Sequence, residues 1–264
     1  MAPPPASSGE REDEDPHTWS GLTAAPLVEV DDETLRRFHT TLLEPAFPPA
    51  ELMAYEELRD ARLEPSTRGT ILFDVDEPVA GIVTEDYLGA RVLLVAYLVV
   101  AATARSGGIG ARLLSGTAPR RAPAPLVLAE IEDPRCFAAT DAGDPVARIR
   151  FYDRVGSHLL PLPYVQPSLR PGSPRVDGLL LIAIGAPGPD VDGSLVAAFL
   201  DEYYGMCEGE QVARTDPAYL ALRTAALGDG QGRLPLLPLS ALEAARPRPV
   251  IRPEQAGRDS IVNS

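Results

Sequence analysis

The sequence contains no lysine, only two cysteines and three histidines among its 264 residues. The absence of lysine excludes a Walker A phosphate loop, which requires a Gly-Lys-Ser/Thr tripeptide. Cys136 and Cys207 are far apart and form no CxxC pair, so we expect neither a disulfide framework nor a cysteine-built zinc site. His17, His39 and His158 show no HExxH or HxH spacing. We therefore expect no metal site.

The chain carries a net charge of −14 at pH 7. Contacts with nucleic-acid phosphates need a basic face, so this charge argues against a nucleic-acid partner, whereas it would suit a cationic substrate. The longest apolar run, Val92 to Ala102, is too short to cross a bilayer, and the N-terminus lacks the basic and apolar regions of a signal peptide. We expect a cytoplasmic protein without a membrane partner. Its exclusive use of arginine as the basic residue, with abundant alanine and proline, is typical of a GC-rich bacterial genome.

Composition and periodicity divide the chain into four parts. Residues 1–25 are rich in proline, serine and acidic residues, and residues 245–264 are rich in proline and arginine, so we expect two disordered tails. Residues 26–185 alternate between strand and helix patterns, which predicts one α+β domain (a three-layer α/β arrangement) with a mixed sheet. Helical patterns in residues 186–244 predict a C-terminal helical extension.

Hydrophobic periods and turn residues place the first elements of the central part. A strand is predicted over residues 25–30, followed by a helix with Asp31 or Asp32 as its N-cap. A second helix is predicted to begin directly after Pro48 and Pro49. Residues 69–102 predict three strands, and the third of these is apolar on both faces, as in the centre of a sheet.

A glycine-rich loop, Arg105-Ser106-Gly107-Gly108-Ile109-Gly110, joins the third of these strands to a predicted helix. Unpaired N–H groups and the positive end of the helix dipole attract anions at such a position, and glycines allow a diphosphate to approach the backbone closely. The Arg105 guanidinium could add contacts to phosphate oxygens. The dinucleotide fingerprint GxGxxG is not completed, because Ala111, Arg112 and Leu113 follow. A tight turn without a ligand is the alternative interpretation.

This loop and a second motif resemble signatures of the GNAT N-acetyltransferase superfamily. The acetyl-CoA signature of that family, Gln/Arg-x-x-Gly-x-Gly/Ala, matches residues 105–110, after the fourth predicted strand and at the start of a helix. An aromatic-Tyr-x-x-x-Gly signature downstream matches Phe151, Tyr152 and Gly156. Ser157 departs from the family, which often has Phe there. The resemblance covers residues 27–160 and implies a mixed, mostly antiparallel sheet, flanked by helices and splayed between its fourth and fifth strands.

The resemblance also implies a position for acetyl-CoA as co-substrate, with no metal. In the family the pantetheine arm lies along the fourth strand, which implies contacts with Leu98, Val99 and Val100, and a backbone N–H near Val100 as the oxyanion donor. The diphosphate lies on the glycine loop. The residues implied to hold it are Arg105, Ser106, Gly107, Gly108, Ile109, Gly110 and Ala111.

Direct attack of an amine on the thioester calls for an acid and a base, and the resemblance implies Tyr152 as the acid. A buried core aromatic is the alternative interpretation of this tyrosine. Glu130 on the fifth predicted strand is the favoured base, ahead of Glu132, which shares its face but lies nearer the strand end. Glu85 and Tyr97 are further candidates. A structurally paired carboxylate is the alternative role for Glu130.

We therefore expect an acetyl-CoA-dependent N-acetyltransferase that acts on a small-molecule or peptide amine. Glu44, Phe47, Glu51 and Tyr164 are candidates for lining the acceptor site. The alternative is a non-catalytic regulatory module of the same fold that binds acyl-CoA. The C-terminal helices could cap the sheet or form a homodimer.

Overall fold

The computed structural model describes residues 21–105, 107–117, 126–140 and 143–242. Within these residues the strands are β1 (Thr23–Pro26), β2 (Thr67–Asp74), β3 (Glu77–Tyr87), β4 (Val92–Val100), β5 (Leu126–Glu132), β6 (Ser157–Leu159), β7 (Leu179–Ile184), β8 (Asp190–Asp192), β9 (Arg233–Pro235) and β10 (Leu237–Pro238). The helices are α1 (Asp32–Phe38), α2 (Glu44–Ala46), α3 (Tyr55–Ala61), α4 (Ile109–Thr117), α5 (Pro145–Arg154), α6 (Gly193–Glu208), α7 (Glu210–Thr215) and α8 (Pro217–Ala226).

The main sheet has the strand order β1-β2-β3-β4-β5-β7-β6-β10, and a separate ribbon pairs β8 with β9. Each neighbouring pair in the main sheet is antiparallel except β4 and β5, which are parallel. Helices cover both faces: α4 and α5 pack on one, and α1, α3, α6 and α8 on the other. The predicted α+β fold with a mixed, mostly antiparallel sheet is confirmed.

The parallel pair β4–β5 opens partway along its length. Its register runs from Val92 opposite Leu126 to Val95 opposite Ala129, and no pairing joins the two strands beyond that point, although β4 continues to Val100 and β5 to Glu132. The predicted splay between the fourth and fifth strands is therefore present.

A β-bulge lies on β4 next to the last β4–β5 pair. Thr84 of β3 is opposite Val95 and Val83 is opposite Tyr97, so Ala96 is the extra residue. The bulge resets the alternation of side chains. Leu94 and Tyr97 consequently pack toward the same face of the sheet.

Most helix starts follow from local capping chemistry. Asp31 accepts the Thr34 N–H at 2.7 Å before α1, and Asp144 accepts the Val146 N–H at 2.9 Å before α5. Gly156, with φ +76°, ends the turn after α5 in the left-handed conformation that glycine adopts without strain. These caps agree with the sequence predictions.

The second predicted helix starts later than expected. It was expected directly after Pro48 and Pro49, but α3 begins at Tyr55. Tertiary contacts use the intervening backbone instead: the Arg170 guanidinium donates to the carbonyl oxygens of Pro49 and Leu52, and the Met53 N–H donates to Tyr97 Oη at 2.8 Å.

The first strand also differs from its prediction over residues 25–30. β1 spans Thr23–Pro26 and pairs with β2, so it begins before residue 25, within the segment expected to be a tail. Leu27 and Val30 are nevertheless buried, because the turn after β1 packs them beneath α1 and α3. The apolar character of Leu27 and Val30 therefore comes from their burial in a turn and not from a strand.

The C-terminal segment packs against the sheet. Phe199 and Tyr203 of α6 contact the ring of Tyr87 of β3, with ring centroids 4.9 and 5.8 Å apart. Leu237 of β10 pairs with Leu159 of β6, so the last described strand extends the main sheet. The segment thus contains strands as well as the predicted helices. Among the described residues, no helix combines the length and the apolar character needed to cross a membrane.

Candidate active site

The glycine loop leads into the N-terminus of α4 beside the splay. Gly108 has φ +68°, a left-handed conformation that a side chain would strain, and its position faces open space. The Arg112 N–H donates to the Gly108 carbonyl at 3.1 Å and so begins the helical ladder. The N–H groups of Ile109, Gly110 and Ala111 precede it in the first turn, where a helix has no backbone acceptors for them. This end of α4 can therefore accept an anion.

Arg105 connects the loop to the end of β4. Its Nε donates to the Val100 carbonyl at 3.2 Å, and its side chain is exposed. No other hydrogen bond joins this guanidinium to the described part of the chain, so its terminal N–H groups are available to an anion. The predicted contact residue Ser106 lies outside the described residues.

The two sequence signatures meet in space. A Cβ atom on Gly110 would lie 3.2 Å from Phe151 Cζ and 3.7 Å from Val100 Cγ2. The glycine therefore allows α4 to pack closely against the ring of Phe151 and the end of β4. Gly110 has this packing role in addition to its predicted place in the phosphate loop.

The exposed edge of β4 offers backbone donors to the gap. The Ala101 N–H donates to Val79 at 2.8 Å on the β3 side. Because successive N–H groups along a strand alternate in direction, those of Leu98 and Val100 point toward the β5 side, where β5 has separated. The Leu98 and Val100 side chains pack on the α4–α5 face, and Val99 is buried on the opposite face. The edge can thus pair with an extended ligand.

Tyr152 of α5 lies on the α4–α5 face of the sheet. Its side chain is buried beside Ile149 and Leu98, and its hydroxyl has no hydrogen-bond partner within the described ranges. Burial raises the pKa of Tyr152 to about 12. The phenol is therefore protonated at neutral pH and can donate a proton.

Glu130 of β5 follows Ala129, the last residue paired with β4, and faces the side of the sheet covered by α6. Tyr164 Oη donates to its Oε1, Gln166 Nε2 donates to its Oε2 at 2.8 Å, and Tyr203 Oη lies 3.5 Å from the same oxygen. Burial raises the pKa of Glu130 to about 7, and the nearby charge of Glu85 adds to the rise. Such a carboxyl group can both accept and release a proton at neutral pH.

The other candidate bases differ in their surroundings. Glu85 of β3 accepts a hydrogen bond from Tyr87 Oη at 3.1 Å, and burial raises its pKa. Glu132 forms an ion pair with Arg148 at 3.3 Å. Tyr97 Oη is engaged by the Met53 N–H, and burial raises its pKa well above the usual range. Glu85 and Glu130 are thus the two candidates with raised carboxyl pKa values.

Of the predicted acceptor-lining residues, Tyr164 contacts Glu130, and the Phe47 ring packs edge-on against Tyr97 with centroids 5.1 Å apart. Glu44 is half exposed and lies 3.2 Å from His39 Nδ1, while Glu51 is partly buried.

Arg170 joins the two segments that carry these residues. It belongs to the loop between β6 and β7 and donates to the carbonyl oxygens of Pro49 and Leu52. The two segments predicted to form the acceptor site therefore contact each other.

Sequence reasoning missed two partners of Glu130. Neither Gln166 nor Tyr203 is among the predicted site residues. Each is brought to Glu130 by the fold, from the loop after β6 and from α6. The helical spacing of Tyr203 gave no signal that its hydroxyl points at a carboxylate. Over the described ranges, no group of three His, Cys, Asp or Glu side chains is placed to hold a metal ion.

No protein-family model and no curated protein matches the chain. Solved structures do match it. A protein from Bacteroides thetaiotaomicron assigned to the acetyltransferases of the GNAT family is 24% identical, with a TM-score of 0.51, over 69% of this chain and 98% of its own. An acetyltransferase from Thermus thermophilus is 18% identical, with a TM-score of 0.41, over 61% of this chain and 95% of its own. The ribosomal-protein-S18-alanine N-acetyltransferase from Escherichia coli is 14% identical, with a TM-score of 0.43, over 64% of this chain and 98% of its own. With the opened β4–β5 pair and the Bacteroides structure considered together, the chain has the fold of the GNAT acetyltransferases.

Proposed function

We propose that the chain is an acetyl-CoA-dependent N-acetyltransferase that transfers the acetyl group to an amine by direct attack. The observation that carries the proposal is the opening between β4 and β5. Backbone donors of Leu98 and Val100 face this opening, and an anion-accepting helix start lies at its end. Tyr152 and Glu130 lie on opposite faces of the sheet beside it.

The residues beside the opening fit acetyl-CoA as a substrate. The left-handed conformation of Gly108, the open space around it and the N-terminus of α4 suit a diphosphate. The terminal N–H groups of Arg105 can add charge-assisted hydrogen bonds. The free edge formed by Leu98, Val99 and Val100 suits the amide groups of a pantetheine arm, which would pair with it as a strand does. The thioester is the chemistry that this substrate supplies.

Different groups of the chain carry out the separate proton transfers. An alkylammonium has a pKa near ~10 and must lose a proton before it can attack. Glu130, with a pKa of about 7, accepts that proton. A backbone N–H near Val100 donates to the carbonyl oxygen as negative charge develops there. As the carbon–nitrogen bond forms and the carbon–sulfur bond breaks, Tyr152 donates its proton to the departing sulfur. The nitrogen loses a second proton as the amide forms, and this proton restores the Tyr152 phenol.

The two side chains are suited to separate roles by their positions. Tyr152 packs with the α4–α5 layer, on the side of the glycine loop, whereas Glu130 faces the loop after β6 and α6. We therefore assign the acid to the coenzyme side and the base to the acceptor side. The acceptor is a small-molecule or peptide amine.

The test is the release of thiol from acetyl-CoA by the purified chain against a panel of primary amines, together with calorimetry of CoA binding. We expect amine-dependent thiol release that falls steeply in Tyr152→Phe. Tyr55→Phe is the matched control, because it removes another buried phenol hydroxyl, bonded to the Asp32 carbonyl at the start of α1 on the opposite face of the sheet. CoA binding without amine-dependent thiol release would indicate the non-catalytic module instead. A chain that takes up no CoA would refute both.

A further inference from the structure

Two carboxyl groups, Glu85 of β3 and Glu130 of β5, are partly buried on the same face of the sheet, on the strands that flank β4. Glu85 lies opposite Leu94 of β4, and Glu130 follows the last β4–β5 pair. Neighbouring strands lie about 4.8 Å apart and a strand rises about 3.3 Å per residue. Because Glu130 is two residues beyond the position level with Glu85, about 12 Å separates the backbones of the two glutamates across β4. Their side chains share the interior space between the sheet and α6.

The groups around the two carboxyls are neutral donors. Tyr87 bonds Glu85, while Tyr164, Gln166 and Tyr203 face Glu130. The Cys207 thiol of α6 is also close to both, and burial raises its pKa to about 12, so it carries no charge. No arginine or histidine pairs with either carboxyl in the part of the chain that the structure describes.

This arrangement lacks a counter-charge. Burying an ionised carboxylate without a paired cation is costly, and burial is the main reason that both pKa values are raised. Other buried acidic groups in the chain do have cations: Asp86 pairs with Arg68 at 2.8 Å, and Asp133 pairs with Arg135 at 2.7 Å. The interior near Glu85 and Glu130 is therefore suited to a ligand that brings positive charge.

An unpaired acceptor in the same place points to a ligand with N–H groups. Gln166 is 4% exposed, and its Nε2 donates to Glu130. Its Oε1 is buried and accepts no hydrogen bond. Since buried amide oxygens are almost always paired, this atom is short of one donor beside the carboxylate. An ammonium group at this position would donate to both Gln166 Oε1 and Glu130.

We propose that the acceptor is an aliphatic diamine with a short carbon chain between two positively charged nitrogens. Glu130 and Gln166 Oε1 receive the nitrogen that is acetylated, and Glu85 holds the other. This assignment rests on the proposed function and names its substrate class.

The charges balance before and during transfer. Two ammonium groups meet two carboxylates in the bound state. When Glu130 takes a proton from the reacting nitrogen, that pair becomes neutral, and the second ammonium stays paired with Glu85. The neutral nitrogen then forms the bond to the acetyl carbon. The sulfur leaves as thiol with the proton from Tyr152, and the second proton that the nitrogen loses as the amide forms restores the Tyr152 phenol.

The test compares putrescine, a linear diamine, with butylamine, the monoamine of equal chain length, as acetyl acceptors. A buried charge pair that loses one partner weakens binding by a factor of about 30 or more, so we expect kcat/KM for putrescine to exceed that for butylamine by at least about 30-fold. Glu85→Gln keeps the shape of the side chain and removes its charge. We expect it to raise KM for putrescine by about the same factor and to change KM for butylamine far less.

Calorimetry of putrescine and butylamine with the CoA-loaded chain gives a readout that needs no turnover. Tighter binding of putrescine than of butylamine, lost in Glu85→Gln, supports the diamine proposal even if no amine releases thiol. The absence of thiol release would refute only the proposed acetyltransferase function. Equal binding and equal kcat/KM for the two amines would overturn the diamine proposal and leave the acetyltransferase intact. A Glu85→Gln variant that weakens both amines equally would also overturn it.

Discussion

The buried carboxyl group of Glu130 should make the fold less stable as the pH rises through the neutral range. In the unfolded chain this group has its ordinary pKa of 4.5, whereas in the fold burial raises the pKa to about 7. Between these values the folded chain binds more protons than the unfolded chain. The free energy of unfolding therefore falls with increasing pH over this interval.

The magnitude follows from the two pKa values. The contribution is fully present below pH 4.5 and is lost once the pH has risen through about 7. A difference of about 2.5 pKa units at about 1.4 kcal/mol per unit corresponds to about 3 kcal/mol. Glu130→Gln should abolish this dependence, because the amide has a similar shape and stays neutral at every pH.

The assay is urea unfolding of the native chain and of Glu130→Gln at intervals from about pH 4.5 to about pH 8. Subtracting one free energy of unfolding from the other at each pH cancels the contributions of most other titrating groups. Glu85 also has a raised pKa and interacts with Glu130. Both unfolding measurements are therefore repeated with Glu85→Gln present in each chain. We expect the native chain to lose about 3 kcal/mol relative to the variant across the range. A difference that does not change with pH would refute the reasoning.

Three further perturbations test the glycine loop, the acid and the contact between the acceptor segments. Tyr152→Phe should lower kcat by about 100-fold and leave the CoA dissociation constant unchanged, as measured by thiol release and calorimetry. Gly108→Ala should cost about 1 kcal/mol of stability because of its φ of +68°, and should weaken CoA binding. Gly116→Ala, later in α4, where the glycine has open space and no positive φ, is the control in thermal unfolding with and without CoA. Arg170→Ala leaves two backbone carbonyls without their charged donor and should cost about 2 kcal/mol, with a larger rise in KM for the amine than for acetyl-CoA. A greater effect on acetyl-CoA would contradict the place given to Arg170.

Local signals in the sequence were sufficient for the centre of the sheet. The strands β2, β3 and β4 fall where continuous apolar runs and turn residues predicted them, and Asp31 and Asp144 cap helices as expected. The predicted start of α3 was wrong because the backbone before this helix is hydrogen-bonded to Arg170 and Tyr97, which are distant in sequence. Single-sequence periodicity contains no information about such contacts.

The candidate site shows the same division. Motif spacing located the glycine loop and Tyr152, and the position of Glu130 further inside the strand placed it ahead of Glu132. The roles given to these residues stay predictions. Alternation alone put Glu130 and Glu132 in similar surroundings, whereas in the fold one is bound by neutral donors and the other by Arg148. That difference depends on which loop and which helix cover the strand. It could not be derived from the strand sequence.

The contact between Gly110 and Phe151 links two motifs that would otherwise be free to diverge independently. A methyl group at residue 110 would require the ring to give way by a few tenths of an ångström, and anything larger would collide with it. We expect relatives with alanine at this position to carry a smaller or displaced side chain in place of Phe151. Changes at the glycine loop and at the helix of Tyr152 would then be inherited as compensating pairs.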